Sequence, residues 1–496
     1  MALLSGAWGV LALAVVLPTL ALAWTAVTQA ESPDGGFTFA SRQLTLLWRS
    51  TWMAGVAAAA CVLVSLPGAY VVGQLRAFVD HPVVVALLAT PLLCPPMVYA
   101  FGWERLLPDT CDPQLRCIWV WASWSWPIPA MLIGSGWSRG GGKAYEAALI
   151  VSSPAVAFLH VALPLLARYM ALSAVILFVL FIGDYGVPHA CGLMVYQTEL
   201  LGWAASSDRV MDTIWLSIPV LVTTCIALLA LFIAWRRCSL VDEGGSARHA
   251  RHATARHIVV LAVICFVTSW MLPVGTLVLK LESPAVLREA FVTYAPDLAW
   301  SMALGGISGL AVVAMGVGVV AVRRARAAAV VLLAAFGAIP GAVVGAALVT
   351  AYNHNATRAL FDHWPIVALG YVSRFGWIGV VVAILVRRAC SADVTAQART
   401  DGAGELSVLG RIHIPMCWPT LASAVAIVAA LCIAEVPTTS LVRVPGPAPI
   451  ALVIIEKFHR FEDGMLISLS LWLAAINLAA AALLGFALTT RDRRPE

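Results

Sequence analysis

Twelve times along this chain, about twenty apolar residues follow one another before a polar or charged break. The runs lie near 6–27, 51–73, 82–103, 118–137, 165–187, 211–235, 257–279, 299–322, 327–350, 364–386, 416–437 and 464–489. A helix rising 1.5 Å per residue needs about 20 such residues to cross a hydrocarbon core of roughly 30 Å. The pattern predicts an all-α polytopic membrane protein with about twelve transmembrane helices. Pro127 and Pro129 interrupt the fourth run and Arg374 the tenth. Proline is tolerated in a span where neighbouring helices satisfy the backbone groups it frees.

Composition agrees with a bilayer setting. Hydrophobic residues make up 61% of the chain and charged residues 11%, with a mean hydropathy of +0.90; a soluble domain carries about 25% charged residues. With the N-terminus inside, 19 of the 31 Lys and Arg fall on the cytoplasmic side and 12 outside, while 17 of the 26 acids fall outside. The clusters Arg236-Arg237, Arg323-Arg324, Arg387-Arg388 and Arg493-Arg494 mark cytoplasmic loops, so both termini are expected in the cytoplasm. The net charge of +5 follows from these orientation signals and calls for no nucleic-acid partner. Ala21-Leu22-Ala23 resembles a signal-peptide cleavage site. No Lys or Arg precedes the first run, however, and the run is longer than a usual signal core, so it is expected to stay as the first span.

Most of the eleven Cys lie within runs, as small packing residues do. Cys111 and Cys117 instead share the outer loop PDTCDPQLRC. An oxidising compartment could join them there, and the spacing leaves both the bonded and the free form open. Trp119, Trp121, Trp124 and Trp126 fit an outer interfacial belt. His189 and Cys191 lie near one another in sequence, but without a second ligand pair at suitable spacing no metal site follows.

A weak internal repeat divides the chain. Pro164 precedes Asp184 by twenty residues and Pro415 precedes Glu435 by twenty, so the pairs are displaced by 251. LLCPPMVYAFG around Pro96 is similar to FGAIPGAVVGA around Pro340 and Gly341, displaced by 244. Two tandem six-span halves are expected, 1–235 and 258–496, joined by a polar cytoplasmic linker at 236–257. Six spans per half keeps both copies in one orientation, a parallel repeat of the kind found in transporters.

The longest cytoplasmic loop of each half lies between its fourth and fifth spans, near 139–164 and near 387–415. Each has room for a short surface helix and ends on a proline at the start of the next span, where a missing N–H costs little. Such a helix could seat in a groove on a partner or simply lie at the interface.

In the first loop Glu146-Ala147-Ala148, Ser152, Phe158 and Leu163-Pro164 resemble the EAA loop of ABC-importer permeases. Gly402-Ala403, Leu409 and Ile414-Pro415 resemble its second copy. DYGVP (184–188), IPG (339–341) and EVPTTSLVRVPG (435–446) are similar to segments of the fused twelve-span permeases of ferric-iron importers and their thiamine and polyamine relatives. The resemblance covers most of the chain, in order. It implies a permease of a bacterial inner membrane, with two cytoplasmic ABC ATPase subunits docking on the loops. A periplasmic binding protein would deliver ferric iron or a related small cationic solute. ATP and Mg would sit on the ATPases, leaving this chain without a cofactor or catalytic residue. Two departures stand out: Ser152 to Pro164 spans 12 residues where Gly402 to Pro415 spans 13, and Ala396 falls where the second loop should carry its glutamate. Pro154 is expected to shorten the first loop helix. SRGGGKA at 138–144 lacks the spacing and the hydroxyl of a phosphate-binding loop.

Charges inside spans are costly and attract functional hypotheses. Asp184 and Glu435 are expected near the outer mouth, roughly 30 Å from their prolines. There they could attract a cation, or solvate a helix end and pair with Arg443 or Arg209. Arg374 is expected to pair with an acid of a neighbouring span. Pro96 and Pro340 with Gly341 would bend the third and ninth spans, as hinges or as packing kinks. A twelve-span secondary transporter working without an ATPase is the alternative, although no acid stands at mid-span to couple it. A membrane enzyme would need a nucleophile–base cluster, and the short outer loops gather none.

Overall fold

In the computed structural model every element among the described residues is helical. The structure describes residues 2–28, 41–74, 88, 90–108, 110–206, 210–239, 255–321, 329–333, 337, 339–389 and 392–489. Most of the 236–257 linker, with Arg209, Arg323 and Arg324, lies outside them.

Helix α1 runs Ala2–Leu11, widens into a π turn over Ala12–Val16 and continues Leu17–Thr28. Next come α2 (Ser41–Gln74), α3 (Pro96–Leu106), α4 (Pro113–Ser125), α5 (Pro127–Gly136), α6 (Gly142–Leu149) and α7 (Pro154–Ala157). A π turn over Phe158–Ala162 leads into α8 (Leu163–Ile182), followed by α9 (Gly186–Ala190), α10 (Tyr196–Ser206) and α11 (Val210–Ser239). The second half has a related order, with one long helix where the first has α4 and α5 and a further four-residue helix at Arg358–Phe361. Helix α12 comprises Ala255–Phe266 and Leu272–Leu279 around a π turn at Val267–Met271. It precedes α13 (Pro284–Ala321), α14 (Gly341–Tyr352), α15 (Pro365–Ala389), α16 (Ala392–Thr400) and α17 (Glu405–Val408). A π turn over Leu409–His413 opens α18 (Ile414–Ala434), and α19 (Pro437–Leu441), α20 (Ile450–His459) and α21 (Asp463–Thr489) close the series.

Four of these π turns share a local cause. Each is followed at its second residue by proline: Pro18, Pro164, Pro273 and Pro415. A proline ring clashes with the carbonyl four residues earlier and donates no N–H to it. That carbonyl falls inside the π turn in all four cases, and a wider turn relieves the clash without ending the helix.

Eight described helices are long and apolar enough to cross a membrane, at 6–25, 41–73, 154–182, 211–230, 284–321, 365–387, 409–434 and 463–483. The other four apolar runs are broken or only partly described. The third and ninth break at Pro95 and Pro340, both extended (ψ 132° and 140°). The fourth divides where Pro127 ends α4 and opens α5, and the seventh is the π-interrupted α12.

The described residues gather into two compact units. One lies within 1–39, 199–221 and 283–469, the other within 40–198, 222–282 and 470–496. Each unit therefore combines the first helix of one sequence half with the next several of the other. In the first, α1 packs on α13 and α14; in the second, α12 packs on α2, α3 and α4. Close crossings rest on missing side chains: a Cβ on Gly316 would run into the Gly379 backbone, so α13 and α15 touch main chain to main chain.

Candidate functional site

In the 40–198 unit, Asp184 follows α8 and turns its carboxylate onto the start of α9. Its oxygens accept from the N–H groups of Gly186 (3.1 Å) and Val187 (3.2 Å). These are donors that the first helical turn cannot pair internally. Trp121 of α4 donates its indole N–H to the same carboxylate at 2.8 Å, and its ring stacks on Phe181 with centroids 5.1 Å apart. One turn on, Trp124 donates to the carbonyl of Cys94 at 3.0 Å, just where the third run breaks before Pro95 and Pro96. Pro96 supplies the first residue of α3, where its missing N–H would be unpaired anyway. Gln197 closes the group by donating to the carbonyl of Ile182.

The 283–469 unit builds the corresponding site from other side chains. Glu435 follows α18 and caps α19, accepting from the Thr438 N–H (3.1 Å) and hydroxyl (2.8 Å). The cation beside it is Arg374 of α15, with Nε 3.9 Å from the carboxylate. Sequence had suggested Arg443 for that role. Arg374 also donates through Nη1 to the carbonyls of Gly337 (3.0 Å) and Ile339 (2.6 Å), at the break before Pro340. The Thr438 hydroxyl lies 3.0 Å from the Gly341 carbonyl as well, and its single hydrogen serves that oxygen or the carboxylate, one at a time. A Cβ on Gly341 would meet Glu435 Oε1 at 2.6 Å, so glycine is required for the acid to reach its cap.

Both acids thus join three elements: the end of one long helix, the start of a five-residue helix, and the fourth helix of the repeat. Trp121 and Arg374 are displaced by 253, close to the 251 that relates Asp184 to Glu435. That near-identity was the sequence signal for their pairing. The sequence pattern puts Trp119, Trp121, Trp124 and Trp126 in an outer interfacial belt, but Trp121, Trp124 and Trp126 are buried. Trp119 alone of the four is exposed. The correction follows from helical spacing, since residues 117, 121 and 124 share the inward face of α4.

The two long loops have one construction. In each, a helix of eight or nine residues (α6, α16) is followed by four turn residues, a four-residue helix, a π turn and the Leu-Pro or Ile-Pro start of a long helix. The turns are 150–153 and 401–404, so the displacement is 251 throughout and the expected one-residue difference disappears. Glu146 corresponds to Gln397, rather than to Ala396. Pro154 does not shorten α6; it opens α7. The chemistry at the tips differs. Ile150 and Val151 are 83% and 86% exposed, beside exposed Glu146 and Ala147. The second tip carries Asp401 and Gly402, the latter at φ +85°, and an Arg399–Glu405 ion pair (3.3 Å) braces its turn. Within the first loop the Ser152 hydroxyl donates to the Ala148 carbonyl (2.7 Å), and Ala403, Phe158 and Leu409 are half-buried.

From the turn at 150–153, an unbroken helical rod of 29 residues runs to Ile182, two residues before Asp184. The second rod runs from Glu405 to Ala434 and is kinked at Cys417 (φ −114°), two residues before Pro419. No protein-family model matches this chain, and neither the curated proteins nor the solved structures contain a significant match to it.

Proposed function

We propose that this chain is the membrane-spanning permease subunit of an ATP-driven ABC importer in a bacterial inner membrane. In this reading it has twelve spans and cytoplasmic termini, and its two loops dock on separate ATPase subunits. The cargo is ferric iron or a related small cationic solute delivered by a periplasmic binding protein. One observation carries the reading: the two loops expected in the cytoplasm share one helix–turn–helix–π–proline build at constant displacement, each on a rod ending at an acid-capped helix. A displacement imposed on an exposed turn would travel along a packed rod to the opposite end. Coupling between distant sites needs a contiguous element of this kind with two arrangements. The breaks at Pro95 and Pro340, tied by Trp124 and Arg374, are the points where those arrangements would differ.

Purification of the tagged chain from native membranes in mild detergent tests the proposal. An ATPase with a phosphate-binding loop should copurify with the parent chain and be lost from Glu146→Arg combined with Gly402→Arg. A folded parent that transports its solute in proteoliposomes with no ATPase present would give the answer to the secondary-transporter alternative.

A further inference from the structure

Two thiols stand beside the Asp184 site without taking part in the cap or its brace. Cys117 lies on α4 one turn before Trp121, and Cys191 is the residue that closes α9. Both are buried, at 0% and 6% exposure. They are free thiols in the structure, and α9, which Cys191 closes, packs on α4, which carries Cys117. Cys111, the partner that the loop sequence suggests for Cys117, is half-buried and directs its thiol to the carbonyl of Asp112.

The duplicated half supports this juxtaposition independently. The displacement of 253 that relates Trp121 to Arg374 carries Cys117 to Gly370, and the displacement of 251 carries Cys191 to Val442. Val442 closes α19 as Cys191 closes α9. A Cβ on Gly370 would lie 3.8 Å from Val442 Cγ2. The two positions therefore touch through β and γ atoms in that unit too. Disulfides join positions whose side chains meet at their β carbons, and these two positions are side-chain neighbours in the duplicate.

We propose that Cys117 and Cys191 form a disulfide that locks the outer end of α4 to the helix capped by Asp184, leaving Cys111 as the free thiol. Placement in an oxidising compartment rests on the orientation given under the proposed function. The oxidant is a protein or small-molecule disulfide. The two thiols release two protons and pass two electrons to it, one S–S bond forms as the other breaks, and the oxidant leaves as two thiols. Exchange takes place during insertion, before both sulfurs are buried. The bond holds Trp121 against Asp184, so one face of the acid's brace becomes covalent.

Trypsin supplies a direct test, because Cys117 and Cys191 fall in different peptides, 117–139 and 169–209, and each is the one cysteine of its peptide. Full-length protein in its membranes is denatured in N-ethylmaleimide without reductant and mapped by mass spectrometry. The expected result is a linked 117–139/169–209 species that disappears on reduction, with Cys111 alkylated. In Cys117→Ser, Cys191 should become alkylated. Alkylation of both cysteines in the unreduced sample overturns the proposal. A 106–116/117–139 link, which would join Cys111 to Cys117, overturns it equally. A membrane-impermeant maleimide applied to intact cells separates the two readings. If Cys111 stays unlabelled while the linked species is present, the orientation fails and the disulfide stands. If Cys111 is labelled and no linked species forms, the disulfide fails and the orientation stands.

Discussion

Asp184 and Glu435 each cap a five-residue helix at the end of a long rod, yet one carboxylate is held by an indole and the other faces a guanidinium. In the 40–198 unit two tryptophans share the work. Trp121 reaches the acid and Trp124 reaches the carbonyl before the proline break. In the 283–469 unit Arg374 stands at both places: Nη1 donates to the carbonyls before Pro340, while the guanidinium faces Glu435 as a charge at 3.9 Å. The difference has an energetic consequence. An indole brings no charge, so its loss removes one hydrogen bond from a carboxylate that still accepts from Gly186 and Val187. Arg374 and Glu435 are 17% and 10% exposed and mutually dependent, and removing either strands the other's charge.

The comparison can be broken most severely at Arg374. Arg374→Ala should destabilise its unit by up to about 3 kcal/mol, the low end of the range for breaking a buried pair, since both side chains are half-buried. It should appear as a large drop in the thermal midpoint of the purified protein, and a drop no greater than that of Trp121→Phe would refute the inequality of the sites. Gly341→Ala comes next, since its Cβ would intrude on Glu435 and Thr438; overpacking of this kind costs about 1–3 kcal/mol. Pro96 holds the first position of α3 as Gly341 does of α14, a displacement of 245 where the sequence match suggested 244, so Pro96→Ala should be tolerated better in the same melting assay. Trp121→Phe keeps the stacked ring and removes one hydrogen bond to a charged group, a loss of about 1.5–3 kcal/mol if the carboxylate stays dry and less if water replaces the indole. Expression and melting of the single variant beside Asp184→Asn would measure it.

The smallest stability effect is expected at the loop tips, which sharpen the comparison in a different way. Ile150→Ser with Val151→Ser removes no packing, so the thermal midpoint should move by no more than the roughly 0.5 kcal/mol of ordinary surface changes. ATPase copurification should nevertheless fall. Asp401→Ser at the polar tip should reduce it less, and equal losses from both tips would show that the two loops dock alike despite their chemistry.

Much of this organisation was legible from the residues alone. Long apolar runs predicted helices, and every described run is helical because twenty apolar residues leave the backbone nothing but itself to bond with. The repeat offset was readable from Pro164, Asp184, Pro415 and Glu435, and the structure keeps it to the residue through both loops. The proline breaks were readable too. What the sequence concealed were partners. Four tryptophans in ten residues look alike, and only the packing of α4 buries three of them and aims one at Asp184. Arg374 called for an acid without saying which, and Cys117 had a nearer cysteine in sequence than the one it meets.

The sequence by itself determined helix content, the constant offset between the two loops, the places where helices widen or break, and the positions of the two acids. These are properties of neighbouring residues: hydrophobic run length, a missing N–H, a displaced copy. Tertiary structure decided that α1 packs with the second half's helices and α12 with the first half's. It also decided that an indole answers one carboxylate and a guanidinium the other, and that Gly341 must lack a side chain. Those choices join residues from 35 to more than 300 positions apart, and no local rule specifies which distant surface a helix face will meet.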